Sequence, residues 1–222
     1  MNGHPLTMAA VGLAAAGGYL TARYRMRGQL VAAQRAATID PLTGIANRAG
    51  LSAAADAILN AGQPVVVALV DLVGFKAVND THGHDAGDHI LTTTAHRLTT
   101  MAGPRGIAAR LGGDEFALLT RSSGPLDGLL LRLHTALTTP VTYQGHPLAV
   151  GATVGAVPAH AGQPLEVWLH RADLAMYTAR AHRAATHIWA DTTTPATDTR
   201  PIQRARELAR PTSRLTTAWR AA

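Results

Sequence analysis

Two adjacent glycines are followed by two adjacent carboxylates in the segment LGGDEF. Glycine has no Cβ, so a turn built from Gly112 and Gly113 lets a ligand lie against bare backbone. Asp114 and Glu115 would then hold two carboxylates beside that opening, in the first positions of the next strand. Taken alone, the same pattern is typical of a tight hairpin whose acids only contact solvent. The segment is therefore a candidate site that needs support from the rest of the chain.

A third acid and one lysine lie near the end of another apolar segment. Asp71 ends the segment VVVALVD, and Lys76 is the only lysine among the 20 basic residues. Carboxylate oxygens are the ligands that Mg²⁺ prefers, and a lysine ammonium is suited to phosphate charge. If the two segments pair as neighbouring strands, the three acids converge on the glycine turn. This arrangement would suit magnesium-dependent phosphoryl or nucleotidyl transfer.

The hydrophobic pattern supplies the elements that must position these residues. It predicts four helices, over 46–61, 87–101, 125–137 and 165–182. It also predicts strands over 65–71 and 187–191, one strand on each side of the glycine turn, and a strand pair around 148–157. The β-branched run at 65–71 is typical of a strand that is buried on both faces. The order of elements predicts an α/β or α+β sandwich with a central, mostly antiparallel sheet flanked by helices.

The two ends of the chain differ from the middle. Residues 6–20 are uncharged and are followed at once by Arg23, Arg25 and Arg27, which predicts a membrane anchor with the rest of the chain in the cytoplasm. The segment is shorter than the ~17–25 residues that usually span a membrane, so a helical hairpin and a signal peptide remain alternatives. We divide the chain into an anchor (1–22), a linker helix (23–39), a main domain (40–191) and a mostly disordered tail (192–222). Without the anchor, the protein would be cytoplasmic.

Net charge and cysteine content exclude few partners by themselves. The formal charge of +6 would suit nucleic acid or an anionic membrane, but the arginines are spread along the chain and form no dense run. No nucleic-acid-binding motif is present, so we expect no nucleic-acid partner. The absence of cysteine excludes disulfides and thiolate metal sites.

Four segments together resemble the GGDEF family of diguanylate cyclases. They are DPLTGIANR, DLVGFKAVNDTHGHDAGD, LGGDEF and ADLAMYTAR, which follow the family's order and spacing between residues 39 and 191. The resemblance implies a fold related to class III nucleotide cyclases, and condensation of two GTP molecules into cyclic di-GMP with release of pyrophosphate. Because each domain would bind one GTP, it also implies a two-fold homodimer.

The resemblance also implies roles for individual residues. Asp71, the backbone carbonyl of Leu72 and Glu115 match magnesium ligands, for which Mn²⁺ could substitute. Asp114 matches an acid that activates the attacking 3′-hydroxyl or binds a second metal ion, and Lys76 matches a phosphate-contacting lysine. Further matches lie on the substrate side: Asn79 and Asp88 as guanine-recognising residues, and His84, Gly112, Gly113 and Arg180 as other substrate-binding positions. A transition-metal site at His82, His84, Asp85, Asp88 and His89 is the competing and weaker interpretation.

Four departures from the family pattern leave a second function open. Val73 stands where the family has a second acid, and Arg180 replaces a lysine. Arg183, Ala184 and Ala185 replace Gly-Arg-Asn, so a phosphate-contacting arginine is missing or displaced by one residue. Gly103 and Gly106 occupy the positions where the family's product-inhibition motif has an arginine and an aspartate, so we expect no feedback inhibition at this site. The alternative is a catalytically weak domain that binds GTP or dimerises as a regulatory module.

Overall fold

The structure is a computed structural model that describes residues 23–29, 33–34, 37–122 and 124–189. The contacts separate the residues up to Thr38 from those that follow. Residues 23–29 are helical, whereas the predicted anchor and tail lie outside the described residues and stay predictions. Within the described ranges, no helix combines the length and the apolar character needed to cross a membrane.

The unit that begins at Ile39 is built from alternating helices and strands. In chain order they are α1 (Arg48–Leu59), β1 (Val65–Val73), α2 (Phe75–His82), α3 (His84–Ala102), β2 (Ile107–Gly112), β3 (Glu115–Arg121), α4 (Leu126–Thr138), β4 (Val141–Tyr143), β5 (His146–Leu148), β6 (Gly151–Ala159), α5 (Leu165–Ala181) and β7 (Thr186–Ile188). One sheet has the strand order β2-β3-β1-β6-β7, and β4 pairs with β5 separately. Among these described strands, only the β6–β7 pairing of the larger sheet is parallel, so the predicted α+β class with a mostly antiparallel sheet is confirmed.

Strand β1 lies at the centre of the sheet and contacts a hydrophobic core on each face. Val66, Ala68 and Val70 point into the core that also contains residues of α3 and α4. Alternate residues, among them Val67 and Leu69, point into the core that contains residues of α1 and α5. Because successive side chains of a strand point to opposite faces, a strand between two helical layers must be apolar at nearly every position. This explains the continuous apolar run of the sequence.

Two parts of the predicted pattern are wrong. The hydrophobic pattern did not predict α2. Val78 is the only buried residue of that helix, and a single residue gives no repeating apolar stripe. The strand pair expected within 148–157 is instead one long strand, β6, preceded by the hairpin of β4 and β5. The hairpin turns at Gln144 and Gly145, both with positive φ, upstream of the expected pair.

Helix α5 packs very closely on β6 at Gly155. An added Cβ at Gly155 would lie 2.2 Å from both the Ala172 carbonyl oxygen and the Met176 backbone nitrogen. Only a residue without a side chain permits this approach. The contact holds α5 close to the sheet, and the last turn of α5 carries Arg180.

Replacing Gly155 with alanine should therefore destabilise the fold. We expect the free energy of unfolding to fall by about 2–3 kcal/mol, since helix backbone must move to admit the methyl group. Urea unfolding followed by circular dichroism would measure it. The matched control is Gly128→Ala in α4, where the new Cβ would meet only the Arg132 guanidinium at 3.5 Å, and where alanine should stabilise by roughly 0.5–1 kcal/mol. Equal effects of the two substitutions would contradict the packing argument.

Candidate active site

The glycine-acid segment forms a two-residue hairpin turn between β2 and β3. Gly112 pairs with Glu115, so Gly113 and Asp114 are the central turn residues. Gly113 has φ 52°, and a positive φ at the first central position is what a type II′ turn requires and glycine supplies. The prediction of a glycine turn is confirmed, with two corrections. Gly112 ends β2, and Asp114 lies in the turn instead of opening β3, because the pairing resumes only at Glu115.

Strand pairing brings Asp71 and Glu115 together. They are direct partners in the antiparallel β1–β3 ladder, so their side chains share one face of the sheet with Cβ atoms about 5 Å apart. The Leu72 amide donates a hydrogen bond to the Asp114 carbonyl oxygen (3.3 Å), which fixes the turn against the end of β1. The predicted neighbouring strands are therefore confirmed.

The expected convergence of three carboxylates is not found. In the part of the chain that the structure describes, no group of three His, Asp or Glu side chains is arranged to hold a metal ion. Two carboxylates share a sheet face, while the third, on Asp114, belongs to the turn. The same observation gives no support to a transition-metal site among the histidines of α2 and α3.

From the last turn of α5, Arg180 contacts Asp71, one of the two acids of the Asp71–Glu115 pair (the acidic pair). Its guanidinium forms an ion pair with Asp71 Oδ2, in which the Asp71 side chain is 16% exposed and the Arg180 side chain 35%. A cation in the last turn also interacts favourably with the helix dipole. The structure thus places one more predicted substrate-side residue at the end of β1.

The junction of α2 and α3 carries a second group of predicted residues. Lys76 lies exposed in the first turn of α2, and His84 and Asp88 lie exposed in the first turns of α3. The Asn79 side-chain oxygen is buried and has no hydrogen-bond partner among the described residues. An added Cβ on Gly87 would lie 1.9 Å from that oxygen. A buried amide without a partner is costly in a protein interior, which marks it as a group that a ligand could satisfy.

Arg110 supports the hairpin turn, a role that the sequence did not reveal. Its Nε donates to the Gly113 carbonyl oxygen at 2.9 Å, and its Nη1 lies 3.2 Å from Asp40 Oδ1. Arg48 Nη2 donates to the Leu111 carbonyl oxygen at 3.4 Å from α1. Two guanidinium groups therefore hold backbone carbonyls on the two sides of the turn. The Arg48–Leu111 and Arg110–Asp40 contacts join residues more than 60 positions apart, so no local pattern could have indicated them.

Asp40 is positioned by a local turn that its motif could have revealed. Its Oδ1 accepts hydrogen bonds from the backbone amide (2.9 Å) and the hydroxyl (2.6 Å) of Thr43, as aspartate at the start of a turn commonly does. Burial raises the pKa of Asp40, but the bonds from Thr43 and Arg110 outweigh it and hold this pKa below its ordinary value. The stability that this carboxylate contributes is therefore lost only as the pH falls through its lowered pKa.

Asp173 lies buried beneath the acidic pair. The residue is 4% exposed, and its Oδ2 has no hydrogen-bond partner among the described residues. Burial raises the pKa of Asp173 to about 6, against an opposing effect of the Arg180 charge. It lines a small cavity of about 10 Å³ together with Glu115 and Leu111. The motif ADLAMYTAR contains this residue, but the sequence assigned it no role.

Replacing Asp173 with asparagine should remove one pH dependence of stability. A carboxyl whose folded pKa is raised binds its proton more tightly when folded, so wild-type stability falls as the pH rises from about 4 to 6 and then levels. Relative to the wild type, Asp173→Asn should gain on the order of 3 kcal/mol across that interval. Urea unfolding from pH 4 to 8 would measure the difference, with Asp127→Asn in the exposed first turn of α4 as the control. A difference that does not change with pH would refute the assignment.

Helix α5 ends in a backbone motif that usually contains glycine. The Ala184 amide bonds the Ala179 carbonyl oxygen (2.8 Å), and the Arg183 amide bonds the Arg180 carbonyl oxygen (3.1 Å), which is the Schellman pattern. The residue in its left-handed position is Arg183, with φ 53°. A side chain in this conformation costs about 1–2 kcal/mol relative to glycine. Arg183 is therefore a strained residue beside the candidate site.

Comparisons with known proteins agree with this geometry. A family model described as "Diguanylate cyclase, GGDEF domain" matches residues 37–186. An uncharacterised 19.3 kDa protein from Streptomyces ambofaciens is 45% identical over 148 residues, which are 64% of this chain and 77% of that protein. The probable diguanylate cyclase DgcF of Escherichia coli is 35% identical over 123 residues, which are 54% of this chain and 39% of DgcF.

A solved structure has the same fold. The coiled coil and GGDEF domain of DgcB from Caulobacter crescentus, in complex with c-di-GMP, matches with a TM-score of 0.67 and 25% identity. The match covers 79% of this chain and 97% of that one. The chain thus spans most of some relatives and less than half of DgcF.

Proposed function

Because the chain belongs to the GGDEF domain family of diguanylate cyclases, we propose that it condenses two GTP molecules into cyclic di-GMP and releases two pyrophosphates. The observation that carries the proposal is the direct pairing of Asp71 with Glu115 beside a turn that presents glycine backbone. Two carboxylates at the mouth of such a turn suit a metal-assisted reaction of a nucleoside triphosphate.

The donor set fits a hard divalent cation. Asp71 and Glu115 supply carboxylate oxygens from one sheet face, and the Leu72 carbonyl would be the backbone ligand. Mg²⁺ is commonly held by one or two carboxylates together with waters and substrate phosphates, so three protein acids are not required. When bound, the cation would neutralise phosphate charge and polarise the α-phosphate. Mn²⁺ has similar ligand preferences and would be the substitute.

The remaining residues would bind GTP and accept the proton of its 3′-hydroxyl. Gly112 and Gly113 would admit the nucleotide to the turn, and Lys76 and Arg180 would contact its phosphates. Asp114 would accept the proton of the 3′-hydroxyl as that oxygen forms a bond to the α-phosphorus and the bond to pyrophosphate breaks. Half-burial of Asp114 beside Glu115 supports this role. His84 would lie on the substrate side.

Guanine would bind at the α2–α3 junction. The carboxylate of Asp88 can accept hydrogen bonds from N1–H and from the 2-amino group of guanine. The Asn79 amide can form a further hydrogen bond to the same edge of the base. The buried, unpartnered oxygen of Asn79 supports the assignment. Adenine presents a different donor and acceptor pattern, so the pair would select GTP over ATP.

The reaction requires two copies of the domain. Each 3′-hydroxyl must reach the α-phosphate of the GTP on the other copy, which a two-fold homodimer allows. The helical residues 23–29 precede the domain, and a linker there could raise the effective concentration of the two domains.

A specific observation favours a second candidate, a catalytically weak domain that binds GTP or dimerises as a regulatory module. Val73, where the family has an acid, is 51% exposed at the end of β1. Val73 therefore contributes no negative charge at the end of β1, which would weaken the binding of a cation there.

Incubation of the purified chain with GTP and Mg²⁺ tests the proposal. A version with a dimerising coiled coil at its N-terminus should be included, so that lack of product cannot be assigned to dissociation. We expect chromatography to detect cyclic di-GMP. For the unfused chain, the rate of formation per chain should rise with protein concentration. Bound GTP without product in both versions would establish the regulatory module instead.

A further inference from the structure

Helix α5 carries one polar residue toward each acid of the acidic pair. Asp173 and Arg180 lie seven positions apart in α5, which is about two helical turns, so they share one face of the helix. Arg180 forms the ion pair with Asp71. Asp173 and Glu115 line the same small cavity. The role of Arg180 is clear from its contact, whereas Asp173 has no direct contact that explains it.

The acidic pair points toward the helical layer that contains α5. Leu69 and Ala117 belong to the core that also contains Met176 of α5. Leu69 is two residues before Asp71, and Ala117 is two residues after Glu115. Since every second side chain of a strand points to the same face, both acids point to the face covered by α5. The cavity therefore lies between β3 and α5, under the carboxylate of Glu115.

Asp173 is an unusual residue for its position. It is 4% exposed, and its Oδ2 has no hydrogen-bond partner among the described residues. A buried carboxyl oxygen without a partner destabilises a fold, and an apolar residue of the same size would avoid that cost. A polar group at this position is therefore explained best by something that the cavity holds.

The cavity has the size and the polar groups that one water molecule needs. Its volume is about 10 Å³, close to the minimum that holds a water. A buried water requires at least two polar partners. Among the described residues that line the cavity, Asp173 and Glu115 have polar side chains and the others are apolar. A water donates two hydrogen bonds, so it can donate one to each carboxylate.

We propose that Asp173 is a positioning residue, which binds a buried water that also donates to Glu115 and thereby holds the Glu115 carboxylate in the orientation that binds the cation. The inference rests on the proposed function, since it takes Glu115 as a cation ligand. Asp173 itself would touch neither the cation nor GTP. Groups that orient a metal ligand in this way strengthen metal binding, because the ligand loses less freedom when the metal binds.

The test is the binding of Mn²⁺ to the full chain without nucleotide, measured by electron paramagnetic resonance of the free ion. Asp173→Leu removes the acceptor oxygen and keeps the size of the side chain, so it should weaken Mn²⁺ binding about tenfold. The same variant should unfold at no lower urea concentration than the wild type, because an apolar group replaces a buried carboxyl. A purely structural role for Asp173 predicts unchanged Mn²⁺ binding in the folded variant.

Asp173→Asn tests whether the hydrogen bond matters beyond the charge. Asparagine keeps an acceptor oxygen at about the same volume, so the Mn²⁺ affinity of this variant should lie between those of the wild type and Asp173→Leu. Equal loss of affinity in the two variants would mean that only the charge acts, and would reject the water bridge.

Met176→Leu is the matched control for packing. Met176 lines the same cavity, and the exchange nearly conserves volume while leaving both carboxylates in place. It should keep Mn²⁺ affinity within about a factor of two of the wild type. Wild-type affinity in Asp173→Leu, or equal weakening in Met176→Leu, would overturn the proposal.

A crystal structure of the wild-type chain would test the water directly. It should show one water within about 3 Å of Asp173 Oδ2 and of a Glu115 carboxylate oxygen. A dry cavity, or a water that contacts only one of the two carboxylates, would contradict the bridge.

The assay for cyclic di-GMP separates this inference from the proposed function. Product formation by the wild type together with unchanged Mn²⁺ binding in Asp173→Leu would reject the inference and leave the cyclase intact. Mn²⁺ binding that depends on Asp173, in a chain that forms no product, would support the positioning role and reject the cyclase. A wild-type chain that binds no Mn²⁺ would reject the proposed cation site and this inference together.

Discussion

Replacing Glu115 with glutamine should lower the rate of cyclic di-GMP formation at least about a thousandfold, equivalent to roughly 4 kcal/mol of transition-state stabilisation. The substitution keeps the shape of the side chain and removes the charge that would hold the cation beside Asp71. Glu115 is half-buried at the first position of β3. The rate should be measured chromatographically with saturating GTP and Mg²⁺.

The chain offers a matched control for this substitution. Glu166 lies exposed in the first turn of α5, and Glu166→Gln makes the same chemical change away from the turn. It should leave the rate within a factor of two and cost at most about 0.5–1 kcal/mol of helix-dipole stabilisation. A Glu115→Gln variant that keeps more than a tenth of the wild-type rate would remove Glu115 from the proposed cation site.

Replacing Gly87 with alanine should weaken GTP binding by about 30-fold, or roughly 2 kcal/mol. The new methyl group would lie 1.9 Å from the Asn79 side-chain oxygen and 3.2 Å from Phe75 Cζ. The Asn79 amide is the more flexible neighbour, so it would move away from the position proposed for the guanine edge. The dissociation constant can be measured by displacement of a fluorescent GTP analogue.

A double-mutant cycle separates this effect from general damage to α3. Asn79→Ala alone should weaken GTP binding by a similar factor, and Gly87→Ala added to it should then have almost no further effect. Without the clash, alanine inside a helix is expected to stabilise by about 0.5–1 kcal/mol. Reductions in affinity that simply add would mean that Gly87 acts through something other than Asn79.

Prediction from the sequence succeeded where the physical cause is local. The apolar run that ends at Asp71 predicted a strand buried on both faces, because each residue of such a strand meets a hydrophobic layer. The glycines of LGGDEF predicted a turn, because a positive φ at the first central position favours glycine. Helix α2 was missed because it buries one residue, and helix prediction depends on a repeated apolar face.

The sequence by itself determined the fold class, the glycine turn, the family resemblance and the candidate residues, since these depend on residue type, periodicity and spacing. Only the tertiary structure decided how those residues meet. It paired Asp71 with Glu115 and left Asp114 in the turn. It joined Arg110 to Asp40 across 70 positions, buried Asp173 beneath the site, and brought Arg183 into one cleft with Arg180. These contacts depend on strand register and on the close packing of α5 on β6, which many distant residues establish together and no local segment encodes.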